Sequence, residues 1–145
     1  MSISRANSNV LYEGLIEELY ETGTLTDDLK INLYTVFRET LLEALHIIDT
    51  KSVTLVKSQP SGRMVFKVSE PSDGQQKIDA RRNYICLIYP RYCSCEFFHQ
   101  NVILEKQAIL CKHSLAAILG NILDEFVLEE MDDEAFAEYY YEAMM

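Results

Sequence analysis

Glycine is scarce in this 145-residue chain, at 5 residues, with 3 prolines and no tryptophan. None of the glycines forms Gly-x-Gly-x-x-Gly or Gly-x4-Gly-Lys, so the sequence has no loop of the kind that cradles phosphates. It also offers no nucleophile–base pair and no acid dyad. Catalysis, nucleotide binding and a small-molecule substrate are therefore not expected. No apolar run approaches the roughly 18 residues of a membrane span. Met1-Ser2-Ile3-Ser4-Arg5 lacks an apolar signal region, so secretion is not expected either. Basic residues are outnumbered, 13 against 23, and the net charge of −10 repels nucleic acid at long range.

The hydrophobic content of 48% is enough to fill a core. A chain of this length forms one compact domain and buries about two-thirds of its unfolded surface. The charge is unevenly divided. Residues 1–50 hold three basic and nine acidic side chains, net −6; residues 51–113 hold ten and five, net +5; residues 114–145 hold none and nine, net −9. The cations thus gather in the middle.

Leu11, Leu15, Ile16 and Leu19 recur at helical spacing and predict a short helix over 9–21, ended by Gly23. Thr26 is the expected N-cap of a second helix, with Asp27 and Asp28 at its positive end. Leu29, Leu33, Val36, Phe37, Leu41, Ala44, Leu45 and Ile48 hold one stripe, which predicts a single long helix closed by Asp49-Thr50-Lys51. The period then falls to two. Val53 and Leu55, then Met64, Phe66 and Val68, predict a hairpin around Gln59-Pro60-Ser61-Gly62. Glu70 to Gly74 reads as an exposed loop, and Tyr84 to Tyr89 as a third strand, apolar on both sides. Residues 96–110 read as mixed and include an irregular loop. A helix follows with Leu115, Ile118, Leu119 and Ile122, loosened by Gly120 by about 1 kcal/mol relative to Ala. A last acidic helix is expected near 132–145.

The four cysteines are spaced as metal ligands plus one spare rather than as a disulfide framework. Cys93-Ser94-Cys95 and Cys111-Lys112-His113 together offer three thiolates and one imidazole. That is a full shell for tetrahedral zinc with no position left for water or substrate. Such a closed site contributes folding energy and shape rather than chemistry. A helix start at Cys111 favours the thiolate, and Lys112 and Arg91 are candidates to offset the site's formal charge of −1. The alternative is a buried thiol cluster without metal. Cys86 reads as a core thiol. His99 is the competing imidazole, and His46 reads as a residue on a polar flank of the long helix or at the edge of its packing, with no ligand or catalytic role expected.

These residues resemble the SWIM-type zinc finger. Tyr92-Cys93-Ser94-Cys95 is similar to its aromatic-led first knuckle, and Ile109-Leu110-Cys111-Lys112-His113-Ser114-Leu115-Ala116 to its second. Upstream, Leu45 to Asp49, Ser52 to Val56 and Pro60 to Val68 are similar to the SWIM-domain subunit of the Shu complex, a recombination-repair factor. The resemblance spans roughly residues 40–120. It implies an α+β fold with N-terminal helices, a small antiparallel three-stranded sheet, and the zinc finger leading into C-terminal helices. The expected segments are 1–50 (helical), 51–120 (sheet plus finger) and 121–145 (acidic helical tail).

The resemblance further implies a nuclear, non-enzymatic scaffold subunit with bound zinc. It would pair with a RecA-like recombinase paralogue, promote recombinase filaments in homologous-recombination repair and meet DNA mainly through that complex. Phe136, Tyr139 and Tyr140 are candidate partner contacts, with packing on the chain's own domain as the competing role. Direct binding of single-stranded nucleic acid is the alternative function. It would use Arg81, Arg82, Arg91, Lys106 and Lys112, with Tyr84, Tyr89 and Tyr92 for stacking. A ubiquitin-transfer adaptor ranks last, because the eight-ligand pattern of a ring-type ligase is missing.

Overall fold

The computed structural model describes residues 5–70 and 83–144. Three helices open the chain: α1 (Arg5–Thr22), α2 (Asp27–Phe37) and α3 (Glu39–Asp49). Helix α1 stops at Gly23, whose φ of 66° lets its N–H reach the Leu19 carbonyl at 2.8 Å. Thr26 caps α2 as expected, its side chain accepting from the Leu29 N–H at 3.2 Å.

The long helix expected over residues 27–49 is two helices. The chain breaks at Arg38, with φ 55° and ψ −128°, although its N–H still bonds the Tyr34 carbonyl. The break turns Phe37 edge-on to Tyr12 at 5.7 Å. Leu41, Ala44, Ile47 and Ile48 remain buried on α3. No glycine or proline marks this break, and the apolar spacing runs straight through it.

The sheet has five strands rather than the expected three. They are β1 (Val53–Gln59), β2 (Met64–Ser69), β3 (Asn83–Leu87), β4 (Tyr92–Cys93) and β5 (Val127–Asp132), in the order β4-β3-β2-β1-β5. The first three form the antiparallel set that period two predicts, with Leu55 opposite Phe66 and Phe66 opposite Cys86. Strand β4 adds Cys93 opposite Cys86. Strand β5 lies parallel to β1, Leu55 opposite Leu128, so the acidic tail is not wholly helical. Residues 96–110 are mixed, as their sequence reads: Phe98–Leu104 forms a π-helical turn with Phe98 and Val102 buried, and irregular chain follows it.

Helices α4 (Lys112–Ile122) and α5 (Asp133–Met144) complete the chain. Val53, Leu55, Phe66, Val68 and Cys86 join the main core with α1 to α4, whereas Val56, Val65 and Ile85 pack under Phe136 of α5. Gly120 has a positive role. A Cβ there would lie 3.1 Å from the Glu125 carbonyl and 3.5 Å from Val53, so its absence lets α4 approach β1 closely. Among the described residues no helix is long and apolar enough to cross a membrane.

Candidate metal centre

Three elements deliver the donors. Cys93 comes from β4, and Cys95 from the turn that follows it. That turn is pinned to β3 by a reciprocal pair: Ser94 donates its N–H to the Ile85 carbonyl at 3.0 Å, and Ile85 donates its N–H to Ser94 Oγ at 3.0 Å. Cys111 is the N-cap of α4 and His113 sits in its first turn. The Cys111 sulfur accepts from the Ser114 N–H at 3.3 Å, while Ser114 Oγ accepts from the Cys111 N–H at 3.1 Å. The pair is a capping box in which the cap atom is also a metal donor.

The four donor atoms lie within 4.8 Å of one another, and all four residues are buried. His113 Nδ1 stands 3.8 Å from Cys93 Sγ and 3.9 Å from Cys111 Sγ. Tetrahedral zinc with ordinary bond lengths needs sulfur–nitrogen edges of about 3.6 Å. The donors therefore fit zinc with a small contraction. Cys93, Cys95, Cys111 and His113 would hold the ion, which would join the two knuckles and balance their thiolates. The set closes the coordination sphere and leaves no site for substrate.

His113 is oriented from behind. Its Nε2 meets Glu70 Oε1 at 2.6 Å, so the imidazole turns Nδ1 toward the sulfurs. Tyr84 stacks on the ring at 4.1 Å between centroids. Burial alone would raise the Glu70 carboxyl, but its contacts with His113 and Lys112 hold it below its ordinary range. Burial works against a charged His113, yet hydrogen bonds with Cys111, Cys95 and Glu70 outweigh it and lift the imidazole to about 10. Cys111 is pushed down, chiefly by hydrogen bonds from Cys93 and Cys95, whose own thiols are pushed up. In the proton balance of the protein groups alone, one thiolate is thus stabilised at Cys111 and a proton is held on the histidine.

The remaining candidates separate clearly. Lys112 is beside the centre, bridging Glu70 at 3.3 Å and Glu43 at 3.4 Å. Arg91 instead serves α1, 3.9 Å from Glu13 and 5.4 Å over the Tyr12 ring. Lys106 is exposed; Arg81 and Arg82 lie outside the described residues. His99 and His46 are exposed and apart from the cluster. Cys86 is fully buried, and burial raises its thiol. Of the stacking candidates, Tyr89 is exposed while Tyr92 packs edge-on to Phe98 at 5.8 Å. Phe136 is buried beneath α5, with Tyr139 and Tyr140 half-buried around it. Sequence reasoning does not find Glu70 as a site residue. It lies 43 positions before His113 in a stretch that reads as a solvent loop, and only the fold joins them.

Buried Cys-x-Cys and Cys-x-His knuckles, one on a strand and one capping a helix, define a structural zinc finger of the SWIM class, and the SWIM zinc finger family model matches residues 84–119. Relatives match most of the chain as well. It is 33% identical to a zinc finger SWIM domain-containing protein 7 homolog of Dictyostelium discoideum, over 84% of this chain and 73% of that one. Zinc finger SWIM domain-containing protein 7 of Homo sapiens is 32% identical over 79% of this chain and 81% of its own. The Danio rerio protein is 35% identical over 84% of each. The chain belongs to this family of SWIM zinc finger proteins. No solved structure matches it significantly.

Proposed function

We propose that the chain is a non-enzymatic scaffold subunit of a Shu-like complex in the nucleus. It pairs with a RecA-like recombinase paralogue, and the pair promotes recombinase filaments on single-stranded DNA during homologous-recombination repair. The observation that carries this reading is the closed donor set, in which four protein ligands leave no position for chemistry. Family membership supplies the direction. The absence of a phosphate-binding loop agrees with a subunit that leaves nucleotide to its partner.

Direct nucleic-acid binding draws less support. Arg91 and Lys112 are engaged by the chain's own carboxylates, and each phosphate contact needs a cation to spare. The test is co-expression with RecA-like paralogues of the same organism, read by light scattering and by DNA binding. A stable heteromer that binds single-stranded DNA better than this chain alone supports the scaffold reading. Equal binding by the free chain at physiological salt overturns it.

A further inference from the structure

The two sheet faces are covered unequally. One is layered by α3 and α4, but α5 is the helix that packs on the other. Five strands span about 20 Å at ordinary spacing, whereas a helix is about 10 Å wide. A single helix buries Val56, Val65 and Ile85 at the middle of that face and leaves its edge beside β2 and β3 uncovered. That edge is a groove of about 590 Å³ beside α5, lined at its base by Val65, Leu87 and Phe136. Its walls are large and solvent-facing: Met64 is 56% exposed, Tyr141 65% and Met144 38%. Methionine at such a wall adapts its shape to apolar side chains, and tyrosine offers a large contact area at low entropic cost.

The charge around the groove selects the occupant. Arg63 lines one end but already faces Asp133, which also accepts from Ser61 Oγ at 2.7 Å. Glu129 is taken by Lys67 at 3.3 Å. Glu134 and Glu138 flank the groove-lining stripe of α5, and among the described residues no cation pairs with either. A second copy would bring the same acidic helix against this one, since residues 114–145 hold nine carboxylates and no base. We propose that this groove docks an amphipathic helix of a partner protein, with aliphatic anchors on one face and lysines or arginines on its flanks. It would lie along α5 and complete the second layer of the sheet. The inference rests on this face alone and does not depend on which protein the zinc finger serves.

The test uses the full zinc-loaded chain and three 18-residue peptides. The first has a leucine face and lysine flanks. The second keeps the lysines with serine for leucine, and the third keeps the leucines with glutamate for lysine. The first should bind at micromolar levels, with amide shifts confined to residues 63–65, 87 and 136–144. Tyr141→Ser with Met144→Ser should weaken it at least tenfold, and both side chains are exposed enough for folding to survive. Glu134→Gln with Glu138→Gln, the two carboxylates that flank the Ala137–Tyr141 stripe, should weaken it severalfold and flatten its salt dependence. The proposal falls if the first peptide fails to bind below millimolar concentration, or if either control binds as well. It also falls if the paired serine variant binds unchanged, or if the free chain dimerises through this face in sedimentation.

Discussion

The short Glu70–His113 contact decides which imidazole nitrogen faces the sulfurs. A carboxylate behind a ligating histidine fixes its tautomer and raises its basicity, and removing one costs about 10–100-fold in metal affinity. Glu70→Gln should therefore weaken zinc by that factor in chelator competition while the protein stays folded at saturating zinc. An unchanged affinity would make the contact incidental. The protonation pattern adds a pH dependence. His113 holds its proton up to about 10, and the thiols of Cys93 and Cys95 lie above their ordinary range. Zinc needs all three deprotonated, so binding releases up to about three protons and affinity falls as pH falls. Calorimetry in buffers of different ionisation enthalpy should count them; zero protons released would contradict this charge assignment. At this scale the ligands are legible because their chemistry lies in two tripeptides. Glu70 is not, because tertiary folding alone brings it to His113.

Among the elements, those with strong periodicity are the legible ones. The β1–β2 hairpin and α4 follow directly from their apolar spacing. The break at Arg38 is hidden because Phe37-Arg38-Glu39 carries no helix-stopping residue, and packing of Phe37 on Tyr12 overrides local preference. Strand β5 is hidden because Val-Leu-Glu-Glu-Met-Asp is largely exposed and lacks alternation; its place is set by pairing with β1. Gly120 reads as a weak point of α4 but is the site of close helix–strand approach. Gly120→Val should thus destabilise the fold by about 1–3 kcal/mol through overpacking against Val53 and the Glu125 carbonyl. A thermal melt at or above that of the wild type would refute this. Phe136→Ala should cost about 3–5 kcal/mol, because it empties the centre of the smaller core. Loss of protection of α5 amides before those of α4 in hydrogen exchange is the expected signature.

Over the whole molecule, the charge segregation of the sequence is partly cancelled by folding. The net +5 of residues 51–113 sits between segments of −6 and −9. The fold then draws carboxylates from those flanks onto the central cations: Glu13 onto Arg91, Glu43 onto Lys112 and Glu129 onto Lys67. Pairs this exposed contribute little to stability, about 0–1 kcal/mol each. Their larger effect is on recognition, because a cation held by a carboxylate is less free to displace counterions from a phosphate. The free chain should therefore bind single-stranded DNA at the weak, non-specific end, with a dissociation constant of about 10⁻⁴ M or weaker at physiological salt. Releasing Arg91 and Lys67 with Glu13→Gln and Glu129→Gln should strengthen that binding severalfold, whereas Lys112 would stay held by Glu70 if Glu43 alone were removed. It should also steepen the dependence of log affinity on log salt by up to about one unit for each further phosphate that a freed cation neutralises. Zinc content should not change, since neither carboxylate touches a donor atom of the metal centre. Fluorescence anisotropy with a labelled oligonucleotide across a salt series reads both quantities. Tight binding by the unmodified chain, or an unchanged slope in the double variant, would show that the paired cations are not what limits its approach to DNA.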